Sequence, residues 1–296
     1  MNPLTSEIII ANLKKVLSDL LQAPSKINAI DESHQRGMIE RNWAFEFYLA
    51  PKIMEYADWL EDSDEHSNYT YGLRNIHHLI GWVSCVTSAS IAETTKVIQE
   101  IIDDSWLIDL LTMSERQMNS YASATRISHI GGQIFGRRIG WYAVARLKKP
   151  KLIIETGVDR GIGAAVLCRA LMRNAEEGAP GRYLGTDINL NAGYLLAAPL
   201  NSWGRVVYGD SVSTLSTITE RIDLFINDSD HSAEYEALEY DTISNKLAKN
   251  SVILGDNSHV TDKLFRFAMQ REMKFLHFAE QPDGHWYPGA GIGAAF

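Results

Sequence analysis

Apolar residues recur along this chain with two different periods. From residue 5 to about 148 they return every three to five positions, which is the spacing of one helical face. Ile8, Leu13, Val16, Leu20 and Leu21 make one such stripe. A second run spans Ser33 to Leu60, with Trp43, Phe47 and Met54 on one face and Pro51 expected to kink or break it. Further helical runs are predicted over 69–88, 90–111 and 133–148, and few stretches here look like strands. The dense aromatic residues of this half read as helix-packing core, with the lining of a pocket as the alternative.

After Pro150 the texture changes. Short β-rich runs alternate with helical ones: Lys151–Thr156, Tyr183–Asp187, Arg205–Tyr208, Ile222–Asp228, Ser251–Asp256, Lys274–Ala279 and Gly291–Phe296. Alternation of this kind predicts right-handed crossovers and a mostly parallel sheet covered by helices on both faces. The chain therefore divides into a helical part, 1–125, and an α/β part, 126–296.

Composition narrows the function. The chain has 296 residues, 45% hydrophobic and 22% charged, an ordinary globular composition with room for a sizeable core. A formal net charge of −9 argues against a general nucleic-acid binder. Cys85 and Cys168 have neither CxxC nor Cys/His ligand spacing and read as reduced packing residues. The first residues lack the layout of a signal peptide, and no stretch approaches the about 18–20 apolar residues that span a bilayer. The expectation is a cytoplasmic protein with no membrane partner. One segment departs from the acidic whole: Arg116, Arg126, Arg137, Arg138, Arg146, Lys148, Lys149 and Lys151 fall in a stretch with no acid. It reads either as a solvated helix face or as a basic wall that attracts an anionic substrate.

The chemistry concentrates at strand ends. LIIETGVDRGIG, residues 152–163, is a buried strand running into a glycine-rich turn and a helix. Gly157 permits a sharp turn, and Gly161 and Gly163 let a ligand approach the backbone at the helix start. A dinucleotide fold wants G-x-G-x-x-G, whereas this chain has E-x-G-x-x-x-G-x-G. The leading acid, Glu155, would repel a pyrophosphate and welcome an amino group. The next strand ends YLGTD, placing Asp187 where a carboxylate can accept both hydroxyls of a ribose. The third ends VVYGDS, placing Asp210 where it could accept an adenine amino group. Each acid alone could be a helix N-cap; three on successive strand tips suggest a binding edge. Thr156, Ile188, Gly209 and Ser211 flank them on the same tips.

Together ETGVDRG, LGTD and YGDS resemble the class I S-adenosylmethionine-dependent methyltransferases, across about 151–296. The E-x-G-x-x-x-G form is most similar to catechol-type and macrocin-type O-methyltransferases. The resemblance implies a Rossmann-like, doubly wound sheet of seven strands with the last antiparallel. It also implies Glu155 near the methionine amine of the cofactor, Asp187 on its ribose and Asp210 near its adenine.

A second constellation follows the fourth and fifth strands. IDLFINDSDH gives Asp228, Asp230 and His231; VILGDNSH gives Asp256, Asn257 and His259. Neighbouring strands lie about 4.8 Å apart, so Asp228 and Asp256 are expected close together, and they repel unless one is protonated or a cation sits between them. Oxygen ligands from Asp228, Asp256 and Asn257 suit Mg²⁺ or another hard divalent ion. The resemblance implies the same: similar metal-dependent O-methyltransferases carry acids at these positions and a D-x-D-H segment, here Asp228 to His231, that supplies a candidate base. A metal-free site with His231 or Asp230 removing the proton is the competitor. Asp230 could equally cap the helix after Ser232, and His259 could be structural. The loop QPDGHWYPGAG brings His285, Trp286 and Tyr287, either to cover the acceptor or as an ordinary hairpin loop.

The reading is an S-adenosylmethionine-dependent methyltransferase, acting on a hydroxyl or carboxylate of a small molecule or a peptide-derived natural product. An anionic acceptor is favoured by the basic segment. The helical half is expected to cap the site, select the acceptor and serve in dimerisation. The rivals are a metal-independent N-methyltransferase, a non-catalytic cofactor-binding subunit and, disfavoured by the glycine spacing and Glu155, an NAD-dependent oxidoreductase.

Overall fold

The computed structural model describes residues 11, 14–15, 40–41, 43–55, 70–118, 134–256, 258–285 and 287–296. The chain forms two compact units, one of residues 1–66 with 284–288 and one of residues 67–283 with 289–296. All of the expected N-terminal stripe (Ile8, Leu13, Val16, Leu20 and Leu21), Arg126, Asn257 and Trp286 lie outside the described residues.

In the first unit, residues 43–55 are helical, with a π-helical turn at Phe45–Leu49. The Ala50 N–H bonds to the Phe45 carbonyl, one residue wider than an α-helix. The widening directly precedes Pro51, whose missing N–H and bulky ring disfavour the regular ladder. Trp43 stacks near Phe47 and Tyr48, at centroid distances of 5.5 and 5.2 Å, and all three are exposed rather than core.

In the second unit a short strand β1 (Gly72–Leu73) precedes helices α1 (Ile76–Thr87), α2 (Ile91–Ile102), α3 (Ser105–Met118) and α4 (Arg138–Lys148). Two expectations are corrected here. The run at 69–88 is extended at its start, because residues 72–73 pair antiparallel with Pro282–Asp283. The run at 90–111 is two helices, broken at Asp103 and Asp104. Asp104 accepts the Leu107 N–H, which caps the new helix, and its other oxygen takes Arg169 at 2.7 Å and Arg173 at 3.1 Å. The start of α2 is a reciprocal cap between Ser90 and Glu93.

The α/β part follows as β2 (Leu152–Thr156), α5 (Ile162–Glu176), β3 (Arg182–Asp187), β4 (Gly204–Tyr208), α6 (Ser211–Thr217), β5 (Ile222–Asn227), α7 (Ala233–Ile243), β6 (Leu247–Asp256), α8 (Lys263–Gln270), β7 (Phe275–Ala279), β8 (Pro282–Asp283) and β9 (Gly291–Ala295). Seven strands form one sheet in the order β4-β3-β2-β5-β6-β9-β7. β2 to β6 pair in parallel, and β9 runs antiparallel to both β6 and β7. This is the Rossmann-like, doubly wound seven-stranded sheet that the resemblance implies, flanked by helices.

Strand periodicity decides what faces each layer. Leu152 and Ile154 of β2 join Phe225 and Ile253 under Leu215 of α6, Tyr240 and Ile243 of α7, and Leu264 and Phe267 of α8. Ile153 and Glu155 point the other way, toward the layer in which α4 packs on α5 and α1. The basic segment is neither a solvated face nor a wall at its centre. Arg137, Arg138 and Arg146 are buried. Arg146 binds Glu100 at 2.7 Å and Glu177 at 2.6 Å, and the Arg138 guanidinium lies 5.4 Å from the Trp141 ring. No helix among the described residues is long and apolar enough to cross a membrane.

Candidate active site

Parallel pairing puts the acids on one edge. Thr156 is level with Thr186 and with Asn227, Asn227 with Gly255, and Asp187 with Tyr208. The C-terminal tips of β2 to β6 therefore present Glu155, Asp187, Asp210, Asp228 and Asp256 along a single edge, where open α/β sheets bind ligands.

The glycine turn is held from both sides. Gly157 has φ +79°, and a Cβ there would lie 2.0 Å from the carbonyl oxygen of Asp228. Only glycine allows β2 and β5 to leave the sheet this close together. Asp187 closes the other side: Oδ2 accepts the N–H groups of Val158 and Asp159, each at 2.9 Å, and Oδ1 accepts the Asn189 N–H at 2.8 Å. Gly161 is the N-cap of α5 at φ +98°, packed on Gly193. Ile188 is exposed beside Asp187.

Glu155 is turned inward beneath this turn. It is 1% exposed, accepts the Tyr183 hydroxyl at 2.6 Å, and occupies the space where a Cβ on Gly163 would be. Burial pushes its carboxyl up to about 8, against the opposing pull of Tyr183 and Arg138.

Asp210, after Gly209, is the N-cap of α6 and accepts the Ser213 N–H at 2.7 Å. Its other oxygen accepts the Tyr235 hydroxyl at 2.7 Å, and the two interactions hold its pKa below the usual carboxylate value. A buried carboxylate that the sequence reading missed ties this rim together. Glu239 of α7 accepts from Thr156 at 2.8 Å and Ser229 at 2.7 Å, and from Ser211 and Asn227 as well. One side chain so links the tips of β2 and β5 to the start of α6. The signal was present: Glu236, Glu239, Tyr240 and Ile243 share the buried face of α7, and an acid on such a face needs partners.

Asp228, His231 and Asp256 come together, with one ligand atom of each within 4.8 Å of the others. His231 Nε2 is 3.8 Å from Asp228 Oδ1, and Asp228 keeps 17% of its side chain exposed. Asp230 does not join them: it is exposed and accepts the Ser232 N–H at 2.7 Å, a local turn just ahead of α7, whose N-cap is Ser232. His259 is exposed, its ring 6.4 Å from that of His277. Tyr287 donates its N–H to His285 Nδ1 at 2.9 Å.

Both oxygens of Asp256 are already engaged. Arg137 donates from Nη2 to Oδ2 at 2.7 Å and from Nε to Oδ1. Burial opposes the Asp256 charge, and the Arg137 guanidinium outweighs it and keeps the carboxyl below its ordinary range. Burial, then the Asp256 charge, drive Asp228 well above its own. The donor set is spaced for a hard divalent ion, yet it fits one poorly. An ion there would have to share the Asp256 oxygens, both of which already accept from a fixed, buried guanidinium.

Comparison with known proteins now bears on these tips. Residues 154–258 match the family described as a methyltransferase domain. Over that stretch the chain resembles a methyltransferase domain. The matched segment holds Glu155, Asp187, Asp210, Asp228, His231 and Asp256, and its likeness to a methyltransferase domain agrees with the motifs. No curated protein matches the chain. Similar solved structures include an O-methyltransferase from Bacillus cereus in complex with SAH, at 16% identity and TM-score 0.45, covering 65% of this chain and 91% of that one. Another is the O-methyltransferase TomG of Streptomyces achromogenes, involved in tomaymycin synthesis and in complex with SAM, at 16% identity and TM-score 0.44, covering 66% and 90%. A third is an SAH-bound methyltransferase from Podospora anserina, at 16% identity and TM-score 0.43, covering 63% and 87%.

Proposed function

We propose that this protein transfers a methyl group from S-adenosylmethionine to an oxygen of a small-molecule or peptide-derived acceptor. The observation that carries the reading is the glycine turn braced by Asp187, on the same sheet edge as the Asp228–His231 pair and inside the methyltransferase-matching segment. The cofactor would lie across Gly157 to Gly163 and along the rim formed by Asp187, Ile188, Gly209, Asp210 and Ser211. Glu155 and Thr156 support that surface from below, through Tyr183 and Glu239 respectively.

The acceptor would sit beside His231. Its O–H proton passes to the imidazole as the oxygen attacks the methyl carbon; the S–CH₃ bond breaks, the O–CH₃ bond forms, and S-adenosylhomocysteine leaves as a neutral thioether. Asp228, 3.8 Å away, orients the ring. A second reading is transfer to an amine, whose proton His231 would likewise remove.

Methyl-labelled cofactor offered to hydroxyl- and amine-bearing acceptor panels separates the two readings. Label in a hydroxyl panel, reduced about 100-fold or more in His231→Ala with unchanged S-adenosylhomocysteine binding, supports oxygen transfer with His231 as base. Label confined to amines would replace it with the second reading.

A further inference from the structure

The buried Asp256 carboxylate needs a positive charge nearby. We infer that Arg137 is that charge, built into the fold in the place where a resident divalent ion would otherwise be required. The consequence for turnover rests on the methyltransferase reading; the ion-binding claim rests on the geometry of the chain alone.

Asp256 is 2% exposed and meets the guanidinium side-on through both oxygens. This is the two-pronged arrangement that Arg provides and Lys cannot. The third nitrogen, Nη1, donates to the Tyr71 hydroxyl at 2.7 Å and to Glu280 Oε1 at 3.1 Å. Tyr71 in turn donates to Glu280 Oε2 at 2.7 Å. Every guanidinium nitrogen is engaged, and the cation lies between two carboxylates.

The backbone fixes this arrangement. Gly136 donates its N–H to the Tyr71 carbonyl at 3.0 Å, and Tyr71 donates to Ile134 at 3.2 Å. The Tyr71 ring fills the space beside Gly136, where a Cβ would come within 2.4 Å. Glu280 accepts the Ala290 N–H at 2.8 Å, and the adjoining segment is clamped to β1 through Asn75, which donates to the Ala279 carbonyl at 2.9 Å and accepts the Gln281 N–H at 3.0 Å. Arg137 cannot swing aside without dismantling the pairing of β1 with β8. An incoming divalent ion would have to share Asp256 oxygens that already face a fixed cation. Arg137 is therefore a positioning residue, holding Asp256 against the Asp228–His231 pair and leaving that pair to the acceptor.

The test is Mn²⁺ binding to the full chain, followed by electron paramagnetic resonance and calorimetry, with S-adenosylhomocysteine binding measured on the same samples. Wild type is expected to show no Mn²⁺ site tighter than millimolar, and chelator is expected to leave S-adenosylhomocysteine affinity unchanged. Arg137→Met, with its fold checked by circular dichroism, should gain Mn²⁺ affinity by at least about tenfold, and adding Asp256→Asn should remove the gain. Arg137→Lys keeps a cation and should bind Mn²⁺ as weakly as wild type, which keeps the question decidable if the Met variant does not fold. A micromolar Mn²⁺ site in wild type that Asp256→Asn abolishes would overturn the inference. So would a folded Arg137→Met with no gain, or an Arg137→Lys that binds the ion tightly. Failure of S-adenosylhomocysteine to bind, with the Mn²⁺ results as expected, would remove the methyltransferase reading and leave Arg137 in its role.

Discussion

Glu155 faces inward, and the consequence is a pH-dependent stability. Its folded-state pKa of about 8 lies above that of an exposed glutamate, so the folded protein keeps a proton that the unfolded chain releases. A raised carboxyl contributes stability below the unfolded pKa, and this is lost as pH rises through the folded one. Between about pH 5 and 7.5 the unfolding free energy of wild type should fall more steeply than that of Glu155→Gln, by up to about 1.4 kcal/mol per pH unit. Denaturant titrations at several pH values check this; parallel slopes would mean that Glu155 is not held neutral. The sequence reading set Glu155 against the amino group of a ligand, whereas its side chain is buried and accepts the Tyr183 hydroxyl. The direction follows from Tyr183 and Gly163, which only the folded layer brings to it. Asp210 and Asp230 were each open to a capping reading; Asp210 accepts the Ser213 N–H that this reading requires, whereas Asp230 bonds only to the Ser232 N–H ahead of the helix.

At the scale of elements, the strands were legible because each apolar run ends in an acid or a glycine, and the observed ends differ from the expected ones by a residue or so at most tips. Three features were not. β1 and β8 are two residues each and pair across more than 200 positions, too short to carry a period. The break at Asp103 and Asp104 is hidden by an apolar rhythm that continues across it. Glu239 was passed over, although it shares a helical face with Tyr240 and Ile243. The glycine turn, by contrast, was readable, and it makes a sharp prediction. In Gly157→Ala the new methyl would meet the Asp228 carbonyl at a backbone φ of +79°. Loss of more than about 2 kcal/mol is expected, with loss of S-adenosylhomocysteine binding. Unchanged melting and binding would show that β2 and β5 do not approach as closely as described.

For the whole molecule, a mostly parallel sheet was legible from the alternation of strands and helices, and the resemblance implied its seven strands with the last antiparallel. Seven strands in the order β4-β3-β2-β5-β6-β9-β7 bring five acids to one edge, although they are spread over a hundred residues of sequence. The origin of the compensating charge was not legible. Arg137 lies 119 residues from Asp256, in a helix start outside the methyltransferase-matching segment. In the sequence it was one member of a basic run, and nothing local distinguishes a buried arginine from a solvated one. The central claim is that the edge holds S-adenosylmethionine, and calorimetric titration of S-adenosylhomocysteine into the full chain tests it most directly. The account predicts micromolar binding to wild type, weakened at least about tenfold in Asp187→Ala, which frees the N–H groups of Val158, Asp159 and Asn189. A folded wild-type protein that gives neither heat nor a thermal shift with millimolar S-adenosylhomocysteine would contradict it.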